Sequence, residues 1–247
     1  MTNWPYPRVL AHRGGGALAP ENTLAAIRRG AALGFRGVEF DVRLAADGTL
    51  VLIHDASLER TTDGRGEVAA LRYAELAALD AGAWMGEAWR GERIPRFEEA
   101  GRLCRELGLA ANVEIKVVAA GERAAGEAAA RLARELWRGA ALQPLLSSFY
   151  PDALAGAREA APELPRGLIV GRSTPAGWRE LLPSLGCVSV HANHLILDEA
   201  LLRGCHGAGL AVLAWTVDDP ADARRLLGWG VDGLITDALE TIGPDFR

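Results

Sequence analysis

The sequence predicts an α/β fold, a (β/α)8 TIM barrel with a small insertion after the second strand. Short apolar segments typical of buried strands alternate with amphipathic helical segments along nearly the whole chain. The parallel strands number eight if one further short strand is the returning arm of a hairpin. The 247 residues suit one such barrel, which typically takes about 250. We therefore expect residues 1–247 to form a single domain.

The first predicted βα unit consists of a strand over residues 8–11 and a helix over residues 20–33. His12 and Arg13 follow the strand directly, and three glycines come after them. A glycine run of this kind is typical of a tight backbone bend. The unit therefore carries a histidine and an arginine to the C-terminal end of its strand.

The second predicted strand, over residues 37–42, carries Glu39 and Asp41. Successive side chains of a strand alternate between its two faces, so these carboxylates point to the same side. An Asp-Gly turn at residues 47–48 then folds the chain back. The returning strand ends at His54, which we expect to lie roughly opposite Asp41.

Residues 56–95 are the predicted insertion, with a short helix over residues 72–79. Long connections of this kind often serve as lids or binding loops. The elements predicted beyond it are helix 97–107, strand 111–116, helix 121–137, strand 145–148, helix 151–161, strand 167–170, helix 178–182, strand 188–191, helix 198–207, strand 211–216, helix 221–227 and strand 233–235. An open doubly wound sheet is the alternative, but no GxGxxG motif follows a strand with an acidic residue near the next strand end.

The composition argues against several classes of protein. The net charge is −5 and there is no basic run, which disfavours a nucleic-acid partner. The three cysteines are widely spaced, so neither a disulfide framework nor a zinc site is expected. No segment approaches the ~20 apolar residues of a membrane span, and the N-terminus lacks the apolar run of a signal peptide. We expect a cytoplasmic protein.

Three acidic residues stand inside otherwise apolar predicted strands: Glu39, Asp41 and Glu114. Barrel enzymes place their chemistry at the C-terminal ends of the strands, and a buried ionised carboxylate needs a cation or a hydrogen-bond partner. One possibility is a set of internal ion pairs with the basic residues nearby, Arg13, Arg43 and Lys116. The other is an all-oxygen site for one divalent metal ion, Mg2+ or Ca2+.

His12 and His54 are the candidate proton-transfer residues, because histidine titrates near neutral pH. Arg13 and Lys116 are the candidate phosphate ligands, since a guanidinium fork and an ammonium point charge both suit nonbridging phosphate oxygens. Lys116 is the only lysine among 27 basic residues. Its presence is either chance or a requirement for a compact charge that arginine cannot provide.

Two aromatic residues and a further histidine are weaker candidates for substrate contact. Phe149 and Trp215 follow later strands and are either apolar walls of a pocket or ordinary core aromatics. His194 either lines the pocket or caps a loop. His191 and His206 carry weaker signals still, and His206 is expected on a solvated helix.

Nine motifs carry a resemblance to a known family. In chain order they are HRGGG, APENT, VEFDV, DGTLVLIHD, LERTTDG, VEIK, SSF, WTVDDP and GVDGLITD. Their order and intervals closely resemble the glycerophosphodiester phosphodiesterase family over essentially the whole chain. The segments NWPYPRVLAHRGGG, APELPRGL and TIGPDF resemble the cytosolic UgpQ type within that family.

The resemblance implies a barrel that hydrolyses glycerophosphodiesters, small molecules, to an alcohol and sn-glycerol 3-phosphate. The residues that it implies are the metal ligands Glu39, Asp41 and Glu114, the catalytic histidines His12 and His54, and the phosphate contacts Arg13 and Lys116. By analogy with related phosphodiesterases, His12 is the base and His54 the acid. The segment after VEIK has no firm family pattern, and the oligomeric state is not indicated.

Two other functions remain open at this level. A single lysine on a barrel strand, Lys116, could form a Schiff base with a sugar phosphate, as aldolases do. A domain that binds a phosphodiester without cleaving it would need the same cationic contacts. Sensitivity to chelation distinguishes the metal-dependent reaction from the Schiff-base one.

Overall fold

Eight parallel strands close into a barrel in the computed structural model, which describes residues 4–117, 121–174 and 176–247. The described strands are β1 Val9–Ala11, β2 Gly37–Leu44, β3 Leu50–Leu52, β4 Ala110–Ile115, β5 Leu145–Ser148, β6 Arg166–Val170, β7 Cys187–Asn193, β8 Ala211–Trp215 and β9 Gly233–Thr236. The order around the barrel is β1-β9-β8-β7-β6-β5-β4-β2, and β1 also pairs with β2, which closes the ring. The TIM-barrel prediction is confirmed.

Helices connect the barrel strands, as the alternating pattern predicts. The described α-helices are α1 Leu24–Ala32, α2 Tyr73–Leu76, α3 Phe97–Glu106, α4 Glu122–Leu136, α5 Pro151–Ala160, α6 Trp178–Leu185, α7 Glu199–Gly207 and α8 Pro220–Trp229. The predicted end of α6 at residue 182 is wrong, because the helix continues through Pro183 to Leu185. Proline has no N–H to bond to the carbonyl four residues earlier, so α6 continues past Pro183 with one helical hydrogen bond missing.

The ninth strand, β3, is the returning arm of a hairpin. It pairs antiparallel with β2, with Val42 opposite Leu52, and it stands outside the ring of parallel strands. Its side chains alternate between two apolar clusters: Leu50 and Leu52 join the main core, whereas Val51 and Ile53 face a second cluster. The strand therefore connects the barrel to the residues that follow it.

Residues 56–95 lie between β3 and α3 and contain α2 with three short 3-10 turns. Their apolar side chains pack with three from the preceding hairpin to form the second cluster, which we call the insertion core: Ala45, Val51, Ile53, Leu58, Val68, Leu76, Ala81 and Ile94. Trp84, a residue large enough to anchor this segment, is 44% exposed and does not belong to it. Small aliphatic side chains therefore hold this segment together.

Aromatic residues fill the N-terminal end of the barrel. The rings of Trp4 and Tyr6 contact each other at a tilt, 4.8 Å between centroids, and pack against Ala110 and Leu145, the first residues of β4 and β5. The Tyr6 hydroxyl donates a hydrogen bond to the carbonyl of Gln143, 2.9 Å away. The open face of the barrel is therefore at the C-terminal ends of the strands.

Candidate active site

The candidate site lies at the C-terminal ends of β2 and β4. Glu39 and Asp41 stand two apart on β2, and Asp41 is in register with Glu114 on β4. Lys116 comes two residues after Glu114, so the alternation of a strand points both side chains the same way. The structure thus brings acids from two neighbouring strands and the single lysine together.

The three carboxylates form a compact group. One oxygen each from Glu39, Asp41 and Glu114 lies within 4.8 Å of the other two. Glu39 is 2% exposed and Asp41 is 1% exposed. Buried carboxylate oxygens at this spacing are a ligand set that could hold a hard divalent cation.

Two cations already contact these acids. The Lys116 ammonium lies 3.2 Å from Asp41 Oδ1 and also contacts Glu114, while Arg13 Nε lies 3.7 Å from Asp41 Oδ2. The third basic residue considered in the ion-pair interpretation, Arg43, has no carboxylate within 4.0 Å among the described residues. It donates instead to the carbonyl oxygens of His54 and Val117.

Glu39 is the acid that these ion pairs leave without a strong base. Its Oε2 accepts a hydrogen bond from the Arg13 backbone N–H at 3.1 Å, and its buried Oε1 has no hydrogen-bond partner in the described part of the chain. Burial and the neighbouring Asp41 carboxylate raise the pKa of Glu39. Burial acts the same way on Asp41, but the nearby positive charges, with Lys116 the largest, together outweigh it and hold the pKa of Asp41 below its usual range. Three ionised acids therefore need a further cation, which fits a metal site.

His12 contacts two carboxylates, one on each side of its ring. Nδ1 lies 2.8 Å from Asp237 Oδ1, just after β9, and Nε2 lies 3.8 Å from Glu39 Oε2. Burial alone would lower the pKa of His12, but the hydrogen bond to Asp237 and the charge of Glu39 raise it to about 8. Asp237 fixes the ring, so that the other nitrogen faces the acidic group.

His54 follows β3 and has a carboxylate partner of its own. Its Nδ1 lies 2.6 Å from Asp55 Oδ1. Burial lowers the pKa of His54; the charge of Asp41 opposes this, and Lys116 and Arg13 add to the lowering. The charge of Asp41 therefore acts on His54, although no ion pair or hydrogen bond joins the two side chains within the described residues.

A network of ion pairs links the loop that carries His12 to the loop that carries His54. Arg60 donates to Asp55 at 2.7 Å and to Glu21 at 2.7 Å, and Arg13 Nη1 donates to Glu21 Oε1 at 2.6 Å. The backbone of Arg13 has φ +50°, a left-handed value that a non-glycine residue rarely adopts. In this conformation the Arg13 N–H donates to Glu39 while its side chain joins the network.

Several residues of the site were missed in the sequence. Asn22 donates to Asp41 Oδ2 at 2.8 Å and accepts from the Asp41 N–H at 3.0 Å. The others are the acid and arginine partners just described: Glu21, Asp55, Arg60 and Asp237. The motifs APENT, HD, LERTTDG and LITD contain these polar residues, so their presence was visible, but their partners were not.

The remaining predicted substrate contacts, Phe149, Trp215 and His194, lie at the open end of the barrel. Phe149 and Trp215 contact edge to face at 5.4 Å, and Lys116 Nζ lies 5.7 Å from the Phe149 ring centroid. Both aromatics therefore lie beside the candidate site. His194 Nδ1 lies 3.3 Å from the Trp215 carbonyl, which joins two loops. Residues 118–120 of the segment after VEIK lie outside the described residues.

His191 lines the same small cavity as Glu39 and Glu114, whereas His206 does not. His191 is fully buried with Nε2 3.1 Å from Ser189 Oγ, and burial lowers its pKa to about 3. His206 is half-buried on α7 with Nε2 2.8 Å from Asp232 Oδ2, so it is less solvated than expected. None of the helices in the described ranges combines the length and apolar character needed to cross a bilayer.

Residues 12–241 match the model of the Glycerophosphoryl diester phosphodiesterase family. A glycerophosphodiester phosphodiesterase of Caldanaerobacter subterraneus subsp. tengcongensis is 36% identical over 234 residues, 95% of each chain. A solved phosphodiesterase of Oleispira antarctica, in complex with the product sn-glycerol-3-phosphate, has a TM-score of 0.90 at 36% identity and covers 96% of this chain and 95% of its own. For a glycerophosphodiester phosphodiesterase of Agrobacterium tumefaciens str. C58 the TM-score is 0.80 at 26% identity, with 96% and 100% covered.

Proposed function

Because the chain belongs to the glycerophosphoryl diester phosphodiesterase family, we propose that it hydrolyses glycerophosphodiesters to an alcohol and sn-glycerol 3-phosphate. The observation that carries this proposal is the group of three buried carboxylates beside two histidines, each held by its own aspartate. The product complex of the relative from Oleispira antarctica supports the choice of product.

Glu39, Asp41 and Glu114 are the proposed ligands of one divalent ion. All three offer oxygen, which favours Mg2+ or Ca2+ over softer metals. When bound, such an ion supplies Lewis-acid polarisation of a phosphate oxygen. The unpartnered Glu39 Oε1 supports this assignment, because a buried carboxylate oxygen without a partner is costly.

His12 is the proposed general base and His54 the proposed general acid. The Asp237 carboxylate accepts a hydrogen bond from the Nδ1–H of His12, which leaves Nε2 free to take a proton from the nucleophile. His54, paired with Asp55, gives a proton to the leaving alkoxide. Each role is typically worth about 10²–10⁴ in rate.

Arg13 and Lys116 are the proposed phosphate contacts. Both already lie against Asp41, so their positive charges are at the acidic group rather than in solvent. Phe149, Trp215 and His194 are proposed to contact the substrate from the mouth of the barrel. The cytoplasmic location remains a prediction from the sequence, and the three cysteines are free, as that location requires.

The Schiff-base alternative has less support in the site. A lysine nucleophile needs a lowered pKa. Burial would lower the pKa of Lys116, but Asp41 and Glu114 outweigh burial and raise it. The ammonium form is therefore favoured, which suits a phosphate contact.

The test is a coupled assay for glycerol 3-phosphate release by the purified chain, with and without a chelator. We expect activity to be lost on chelation and restored by Mg2+ or Ca2+. His54→Ala should lose more activity on a natural diester than on one with a phenolate leaving group, because phenolate departs without protonation. His206→Asn is the control histidine variant and should keep its activity. Full activity in chelator, or substrate trapped on Lys116 by borohydride, contradicts the proposal.

A further inference from the structure

A cavity of about 330 Å³ opens beside the candidate site, on the β4 to β6 side of the mouth. Its lining includes Arg43, Lys116, Phe149, Tyr150, Ser173 and Thr174. The volume is at the lower end of the range for small-molecule sites, about 300–1,000 Å³. Lys116 belongs to both the acidic group and the cavity, so the two spaces meet at the proposed phosphate contact.

One residue of the cavity lining, Arg43, contacts the backbone of the proposed acid. Arg43 Nε and Nη2 donate to the His54 carbonyl at 2.9 and 2.8 Å, which places the Arg43 guanidinium directly behind that histidine. In the proposed reaction His54 protonates the leaving alcohol. We take the alcohol half of the diester to depart toward this cavity, because Arg43 lines it and holds the His54 backbone.

The charge of the lining is positive. Arg43 bonds to neutral carbonyls, and no carboxylate of the described residues lies within 4.0 Å of it. None of the lining residues is acidic. A cationic alcohol such as choline would meet a guanidinium here without a carboxylate to balance it, and like charges disfavour binding.

Hydroxyl groups line the opposite wall. Tyr150 is 41% exposed, and its hydroxyl has no hydrogen-bond partner in the described ranges. Ser173 is exposed as well, and Thr174 Oγ1 accepts a hydrogen bond from the Gly171 N–H at 2.8 Å, so its own proton can be donated. Hydroxyls both donate and accept, which matches the hydroxyls of a polyol.

We propose that this cavity binds the alcohol half of the diester and selects neutral polyols over cationic amino alcohols. The inference rests on the proposed function, because it takes the phosphate to lie at Lys116 and the leaving group beside His54. Among diesters of that class, a glycerol or inositol ester is favoured, and a choline or ethanolamine ester is disfavoured.

The test compares kcat/KM for glycerophosphoglycerol and glycerophosphocholine with the metal-loaded chain. Wild type should prefer the glycerol ester by about tenfold, the effect of one modest charge interaction. Ser173→Glu places a carboxylate in the cavity and should shift the ratio toward the choline ester by about the same factor. Ser184→Glu is the matched control, since Ser184 is exposed near the other end of α6, and it should leave the ratio unchanged.

Each other result overturns the inference. A wild-type ratio at or below one, an unchanged ratio in Ser173→Glu, or an equal shift in Ser184→Glu removes the cavity as the source of selectivity while hydrolysis itself stands. If neither ester is cleaved, the proposed function fails and takes this inference with it.

Discussion

The two histidines of the proposed site have pKa values displaced in opposite directions, upward for His12 and downward for His54. Pairs of titratable groups whose surroundings separate their pKa values are typical of acid and base assignments. Part of the rise at His12 comes from the charge of Glu39, so a cation on Glu39 removes that part. A metal-loaded site thus brings His12 closer to the pKa that a base at neutral pH needs.

We expect His12 to titrate near pH 8 in the metal-free chain. Its titration midpoint should fall once Mg2+ or Ca2+ saturates the carboxylate site. Imidazole NMR shifts followed against pH measure both midpoints without any turnover. Glu39→Gln removes the carboxylate charge, so its metal-free midpoint should already be low. If the titration midpoint of His12 in wild type is the same with and without the metal, Glu39 is not a metal ligand.

Arg43 is predicted to act through His54, because two of its N–H groups hold one carbonyl of that residue while a third holds Val117. A lysine cannot reproduce this fork. We expect Arg43→Lys to lower kcat on a natural diester by up to about 10²-fold, the cost of a small misplacement. On a phenolate ester, where protonation matters less, the loss should be smaller. Equal losses on both esters contradict the assignment, and Arg96→Lys is the control at a distant arginine.

At the residue scale, the sequence predicts which side chains are unusual better than it predicts their partners. Acids inside apolar strands and histidines at strand ends are local features, and Glu39, Asp41 and Glu114 do come together. Asp237 lies 225 residues from His12, so their contact depends on barrel closure. No local pattern encodes such a distance.

Among the elements, the connection after β3 depends on one carboxylate. Asp80 accepts hydrogen bonds from the backbone N–H groups of Gly82, Ala83 and Gly91 at 2.7–2.9 Å, which lowers its pKa to about 2. An acid whose pKa is lower in the folded chain stabilises it above the unfolded value, here 3.8. That contribution is lost as the pH falls from about 4 toward 2.

Asp80→Asn should therefore lower the melting temperature at pH 6, where the carboxylate is ionised. The difference from wild type should narrow as the pH falls from about 4 to about 2, because wild type loses the same contribution. Melting curves at several pH values check this. If the difference in melting temperature stays constant over that range, the ionised form of Asp80 does not contribute to stability.

The contact between α4 and α5 sets glycine against the usual helix preference. Gly126 on α4 lies so close to the Ala153 carbonyl on α5 that a Cβ would overlap it. Alanine normally stabilises a helix by about 1 kcal/mol over glycine, whereas overpacking costs about 1–3 kcal/mol. We expect Gly126→Ala to destabilise the chain in urea unfolding. Gly204→Ala on α7, where nothing lies within 4 Å, should stabilise it. Equal effects of the two variants contradict the close contact.

The sequence predicts the boundary of an element correctly where local chemistry determines it. The predicted boundary is wrong where tertiary packing determines it. The hairpin of β2 and β3 was expected from its Asp-Gly turn, and its register of Val42 with Leu52, continued by one residue, sets Asp41 against Ile53, next to the expected His54. The extension of α6 past Pro183 was not expected, because the buried side chain of Leu185 is held by contacts outside the helix.

For the whole molecule, eight alternating units were enough to predict the barrel, since few folds accommodate that pattern. The sequence did not indicate how the N-terminal end is closed. Trp4 and Tyr6 precede the first strand, and their partners Ala110 and Leu145 belong to β4 and β5. Closure of the barrel end thus depends on contacts across more than a hundred residues.

Because β3 is buried between the main core and the insertion core, heating should separate loss of activity from unfolding of the barrel. The insertion core is far smaller than the main core, and small apolar units open at lower free energy than the global transition. His54 lies two residues after β3, so partial opening removes the proposed acid while the barrel persists. We expect heat inactivation to precede loss of the barrel's circular dichroism. Leu76→Ala should widen that interval, and Leu226→Ala, in the main core, should lower both transitions. Coincident transitions in Leu76→Ala would show that the enzyme melts as one unit.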